Sequence, residues 1–419
     1  MKSRPSLLLV ASILGLGTVL VIASPAYASP TLGTPITLPD GSGSNSVAFS
    51  PDGTTAYIAN INSTVSVIDV ASNTLASPIS LINLPRGSNP YSVAFSPDSS
   101  TAYIANTGNS TVSVIDVASN TLASPISLIT LPGGSYPYSV AFSPDGTTAY
   151  TANVGNNTVS VIDVATNTLA SPISLITLPA GSNPLSVAFS PDGTTAYIAN
   201  NGNNTVSVID VATNTLASPI AVITLPSGSD PYSVAFSPDG TTAYTANVGN
   251  NTVSVIDVAT NTLASPTSLI KLPAGSNPIS VAFSPDSTIA YIANGGNNTV
   301  SIIDVATNTL ATPTSLITLH ADTSPTSVAF SPDGTTAYTA NYNNGTVSVI
   351  STGLAPWPAP ATTVATAAAL AATGTNLALP ISIATALLII GVSLVAIRRR
   401  HSTRNRNQNQ NQNLNLLGA

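Results

Sequence analysis

The side chains of this 419-residue chain that could hold a metal ion or move a proton are almost all aspartates, and they fall into two evenly spaced series. Asp52, Asp98, Asp145, Asp192, Asp239, Asp286 and Asp333 each follow a proline. Asp69, Asp116, Asp163, Asp210, Asp257 and Asp304 form the second series, with Ser351 in the seventh place. A ring of carboxylates could bind Ca²⁺, which wants several oxygens at once. Seven repeated turns stand too far apart to share one ion unless they converge on an axis, and no DxDxDG-like loop occurs within a unit. The aspartates are instead expected to cap their own turns, and no metal is expected. Catalysis would need one unit to supply an acid, base or nucleophile with its own environment. The repeats hold one histidine, His320, with no evident partner, and the chain has no Cys and no Glu. Arg86 and Lys271 are single basic residues expected to be solvated. The inventory predicts a protein that is not an enzyme, with no catalytic residues and no cofactor.

These aspartates are positioned by a repeat. VAFSPD occurs seven times, with Pro51, Pro97, Pro144, Pro191, Pro238, Pro285 and Pro332 spaced by 46 residues once and 47 thereafter. Each unit reads as four strands rich in Val, Ile, Thr and Tyr. In the second unit they are Ser92–Ser96, Thr101–Asn106, Thr111–Asp116 and roughly Thr121–Leu131, parted by Pro-Asp, Gly-Asn-Ser and Ser-Asn turns. Four short strands per repeat of this length predict an all-β fold, a seven-bladed β-propeller of four-stranded antiparallel blades. Pro35, Pro78, Pro125, Pro172, Pro219, Pro266 and Pro313 fall in the fourth strand. Proline is confined to edge strands, so the fourth strand is expected outermost and the small, apolar first strand innermost. The fourth strand follows the third only six times, and Thr31–Pro39 matches the missing copy. The N-terminal strand should therefore close the last blade, giving a monomeric ring over residues 31–351.

The units resemble YVTN-family β-propeller repeats. The resemblance rests on Tyr-Ile-Ala-Asn (Tyr57–Asn60, Tyr103–Asn106), Tyr-Thr-Ala-Asn (Tyr150–Asn153), the SPDG turn, the VSVID strand and the ATNT turn. It covers about 320 residues and implies a fold more than a function. The Gly-His and Trp-Asp signatures of WD40 units are absent, so the repeats are not expected to resemble those.

The ends carry an address. Lys2 and Arg4, the apolar run Leu7–Ala23 and Ala26-Tyr27-Ala28 read as a signal peptide over residues 1–28, for removal by signal peptidase; an uncleaved anchor is the alternative. The propeller is placed at 29–353 and an Ala/Pro/Thr-rich spacer at 354–369. Leu370, Ala371, Ala372, Thr373 and Gly374 follow, then an apolar span at 377–397 and a basic, Asn/Gln-rich cytoplasmic tail at 398–419. Pentapeptide, span and basic stop resemble a LAxTG-type, class E sortase-like sorting signal, which implies cleavage after Thr373 and linkage of Thr373 to peptidoglycan. A retained single-pass anchor is the alternative, and the long tail departs from the pattern. Either way an exported, envelope-held propeller is expected.

Between Asp40 and Asp333 lie sixteen aspartates and two basic residues, a formal charge of −14 that argues against nucleic-acid partners. The repeats differ most at two places, the start of the first strand (Asn45, Tyr91, Tyr138, Leu185, Tyr232, Ile279, Thr326) and the loop after the second (Ile61, Thr107, Val154, Asn201, Val248, Gly295, Tyr342). Antiparallel strands bring both to one face. Tyr91, Tyr138, Leu185, Tyr232, Ile279 and Tyr342 are thus expected to form an exposed rim for an extracellular protein or glycan, in an adhesive, binding or coat role. Replacing the rim by serine should then leave the melting temperature nearly unchanged. The alternative is a hydrolase or lyase acting on a small molecule over the axial channel.

Overall fold

The computed structural model describes residues 28–39 and 42–357, together with the backbone of one short antiparallel hairpin, Leu7–Val10 with Leu20–Ala23. The sorting motif Leu370–Gly374, the span 377–397 and the tail lie outside the described residues, as does most of the expected signal peptide. Among the described residues no helix is long and apolar enough to cross a membrane.

Seven antiparallel sheets are formed, one per repeat, with strands in sequence order. In the second unit the innermost strand is Pro90–Phe95, followed by Thr101–Asn106 and Thr111–Asp116. The outer strand departs from the single run expected. It comes as two short pieces, Thr121–Leu122 and Leu128–Thr130, which both pair with Thr111–Asp116 and flank the cis Ser124–Pro125 peptide. The proline thus sits where the ladder is already interrupted, at an edge that needs no donor.

The ring closes as the repeat arithmetic requires. Thr31 and Leu32 pair with Ser351 and Ile350, and Ile36 and Thr37 pair with Val347 and Thr346. Only residues 33–35 separate the two pieces here, where residues 123–127 do so in the second blade. Pro35 therefore does not reproduce Pro125, and its peptide is not among the cis bonds. A cavity of about 640 Å³ lies beside this shortened strand, lined by Gly33, Pro35, Ile36 and Val349 and by Asn73 and Leu75 of the first blade.

Each hydrophobic cluster joins two successive blades, because both faces of a blade meet a neighbour. Tyr103, Val112, Val114, Ile129 and Leu131 pack on Val140, Ala149 and Ile162 of the next unit. Tyr338, Val347, Ile36 and Leu38 pack likewise on Val47, Ile58 and Ile68 of the first. Around the axis, a serine of each inner strand accepts the N–H of a valine in the next blade, from Val93 to Ser46 (3.4 Å) round to Val47 to Ser327 (3.3 Å).

The repeated Tyr-x-Ala-Asn motif does two structural jobs. Tyr57, Tyr103, Tyr197, Tyr244 and Tyr338 donate at 2.5 Å to Asn120, Asn167, Asn261, Asn308 and Asn73 of the following blade, and Tyr150 donates to Asn214. Tyr291 faces the seventh blade, where the chain leaves the repeat after Ser351, and its buried hydroxyl finds no partner among the described residues. The buried Asn binds inward: Asn106 Nδ2 donates to Thr111 Oγ1 (3.0 Å) and Ser113 Oγ (2.8 Å). Its Oδ1 depends on residue x. Where x is Thr, as at Thr151, the hydroxyl donates to the Asn153 Oδ1 at 2.9 Å. In the four units with Ile, the oxygens of Asn60, Asn106, Asn200 and Asn294 lack a donor among the described residues.

Candidate functional site at the channel mouth

Antiparallel order gives the ring two unlike faces. One carries the turns between first and second and between third and fourth strands, here the turn face; the other carries the remaining loops, here the loop face. The two aspartate series lie on the turn face, thirteen carboxylates in all. Each is used locally. Asp98 Oδ1 accepts from Ser96 Oγ (2.6 Å), Ser100 N (3.0 Å) and Ser100 Oγ (2.8 Å), and these bonds, the serine hydroxyl's first, hold its carboxyl below the ordinary carboxylate range. Asp116 accepts from the backbone and side chain of Ser119, with the same effect. Among the described residues no three His, Asp, Cys or Glu side chains gather in a way that could hold a metal ion. His320, Arg86 and Lys271 are exposed, on separate blades.

The loop face is built differently. Pairing in every inner strand slips by one residue at its start: Pro90 opposes Asn106 but Ser92 opposes Ala105. The extra residue of this bulge is Tyr91, and in the other blades it is Asn45, Tyr138, Leu185, Tyr232, Ile279 and Thr326. A bulge re-aims its side chain out of the alternation of the strand. The first set of variable positions is thus one geometric class, set outside the alternation of its strand.

Three of them meet. The rings of Tyr91 and Tyr138 lie with centroids 3.6 Å apart, and Tyr232, from a blade that is not adjacent to either, stands edge-on to Tyr138 at 5.9 Å. The Tyr232 hydroxyl is 2.5 Å from that of Tyr91 and 2.6 Å from that of Tyr138. Burial pushes the Tyr91 and Tyr138 hydroxyls well above the ordinary tyrosine value, so both remain neutral donors. Leu185 and Ile279 are half-buried in the same ring of positions. Asn45 and Thr326 instead bridge blades, donating to the carbonyls of Pro90 (3.0 Å) and Ser44 (2.8 Å).

This corrects the expectation of an exposed rim at five of its six residues. Tyr91, Tyr138, Leu185, Tyr232 and Ile279 are half-buried rather than solvent-facing, and the three tyrosines close on one another as a plug in the channel mouth. Their joint replacement by serine would remove packed rings and lower stability, so it cannot report on binding alone. Tyr342 is exposed as expected, at 39%, and lies with Ile61 (38%) over Gly43, where a Cβ would collide with the Ile61 side chain.

The sequence reading passed over Tyr136. It is 48% exposed on the same face and adopts φ +48°, a left-handed conformation. The equivalent residues are Gly43, Asn89, Asn183, Asp230, Asn277 and Ser324, all small or short-chained and all at positive φ. The Tyr136 ring lies over Gly155, which has no room for a Cβ beside it. The signal was present in the sequence as Gly-Ser-Tyr-Pro in place of the usual Gly-Ser-Asn-Pro.

Comparison with known proteins agrees with this architecture. Solved structures of similar fold include the hydrazine synthase of Kuenenia stuttgartiensis, 24% identical, with a TM-score of 0.61 over 74% of this chain and 96% of that one. A streptogramin B lyase is 15% identical, with a TM-score of 0.63 over 78% of this chain and 99% of that one. Identities this low carry the fold alone. A search of curated proteins finds no match. The WD domain, G-beta repeat profile matches residues 312–351, a likeness that the missing Gly-His and Trp-Asp signatures had argued against. The profile described as lactonase, 7-bladed beta-propeller, matches residues 83–231 and 226–322, more than half of the chain. The chain belongs to the lactonase seven-bladed β-propeller family.

Proposed function

We propose that the protein is a non-catalytic binding module, held at the cell envelope and engaging an extracellular protein or glycan through its loop face. The observation that carries the reading is the channel mouth itself. Its centre is filled by the hydroxyls of Tyr91, Tyr138 and Tyr232, while the two carboxylate series are spent on turns of the opposite face. Such a mouth offers stacking and hydrogen bonding, not proton transfer near neutral pH. The signal-peptide features before Ser29 and the LAxTG-type motif Leu370–Gly374 are in keeping with a display role.

A second reading is favoured by the family match: a hydrolase or lyase for a small molecule at the channel. Incubating the full chain with a panel of aliphatic and sugar lactones at neutral pH separates the two. No turnover is expected; turnover that vanishes in His320→Ala would establish the enzyme. The address has its own test. Mass spectrometry of muramidase-released protein should find a C-terminus at Thr373 bearing a peptidoglycan fragment, and an intact tail through Ala419 would refute sortase attachment.

A further inference from the structure

We propose that the loop face takes a neutral glycan, whose sugar rings stack on Tyr136, Tyr342 and Ile61 around the central hydroxyls of Tyr91, Tyr138 and Tyr232. The proposal rests on the reading of this face as the binding face and adds the chemistry of its ligand. Four independent features lead to it. First, three of the four exposed large hydrophobic residues among the described ones, Ile61, Tyr136 and Tyr342, stand on this face. Second, Tyr136 holds a backbone conformation that disfavours a bulky side chain and suits the Asn found in three of its counterparts. Its exposure means that burial does not offset that cost, and strain of this kind collects at ligand-contacting positions.

Third, the faces differ in charge. Thirteen carboxylates occupy the turn face, while the charged residues described in the loops opposite are Asp230, Asp322 and Arg86, of mixed sign. A polyanion or polycation has little to pair with on the loop face, and a neutral polyhydroxylated ligand needs no such pair. Fourth, the centre suits hydroxyl groups. Tyr232 is shared by two neighbours, so three hydroxyls with three protons make two contacts among themselves and leave a proton and lone pairs for a ligand. Flat apolar plates beside hydroxyl donors match a pyranose ring, with its apolar C–H faces and polar edge.

The test uses the purified full chain against immobilised dextran, mannan and galactan, with polygalacturonate and chitosan as charged counterparts. Retention on at least one neutral polysaccharide is expected. Tyr136→Asn installs the residue that the fold itself uses at this turn, so it should leave folding intact or improve it. It should nevertheless weaken binding about tenfold, as should Tyr342→Ser. Undiminished binding by both variants would overturn the site and with it the reading of the loop face. Retention on the charged polymers alone, or on none of the five, would overturn the glycan class. If in that case a protein partner bound and was lost in Tyr136→Asn, the loop face would stand as the binding face.

Discussion

Seven tyrosines occupy equivalent buried positions, and six have a partner, so the ring contains its own control experiment. Tyr197 donates to Asn261 Oδ1 at 2.5 Å, whereas the Tyr291 hydroxyl is equally buried and has no partner among the described residues. In Tyr197→Phe one interblade hydrogen bond is lost, and half-buried Asn261 can turn to water, so the cost is about 1 kcal/mol. In Tyr291→Phe no bond is lost and a desolvated hydroxyl is removed, so stability should rise by about 1–3 kcal/mol. The aromatic contact of Tyr291 with Phe330, centroids 4.5 Å apart, survives the change. For a ring of this size each kcal/mol moves the melting temperature by about 1–3 °C, so the two variants should shift it in opposite directions. Differential scanning calorimetry and urea midpoints would both read the sign. A Tyr291→Phe protein that loses as much as Tyr197→Phe would show that the seam supplies a partner, and the account of the seventh blade would be wrong.

Three more outcomes follow from the same structure. Deleting Thr31–Pro39 removes both pieces of the closing strand and leaves Val347 and Val349 uncovered, so a chain starting at Asp40 should melt well below one starting at Ser29; an equal melting temperature would refute closure. The carboxyls of Asp52, Asp98, Asp145 and Asp192 are lowered, first by the serine hydroxyl two residues before each and then by backbone N–H groups. Their contribution is therefore complete above the unfolded carboxyl value of about 3.9 and is lost as pH falls through the lower folded values. Urea midpoints should be flat from about pH 7 to 5 and drop below about pH 4; constancy down to pH 3 would count against the turn caps. Thr151→Val should cost about 1–2 kcal/mol, because the buried Asn153 Oδ1 loses its donor and the added apolar burial offsets only part of that. A loss above about 3 kcal/mol in equilibrium unfolding would show that the Ile units satisfy their Asn in some other way.

How much of this was legible depends on whether a feature repeats. Blade number, strand order and closure were readable because each is a count: seven VAFSPD turns and a fourth strand missing at one end and present at the other. The thirteen turn aspartates were readable for the same reason, since one residue recurring in every blade points to local backbone chemistry. The plug was not. Tyr91, Tyr138 and Tyr232 could be named from their variation, but their direction is set by the one-residue slip between Pro90 and Ser92, which is a property of pairing and leaves no mark in the residue string. Without the slip, alternation would turn those side chains between blades; with it they meet on the axis across non-adjacent units. Tyr136 was missed for the opposite reason. Its equivalents in the other repeats vary too, so one tyrosine among Asn, Asp and Ser does not stand out in the residue string. Only the shared positive φ shows that the others vary within the set of residues tolerating a left-handed backbone, and that Tyr136 falls outside it. A substitution is informative when it breaks the physical constraint of its position, and that constraint became visible only with the backbone.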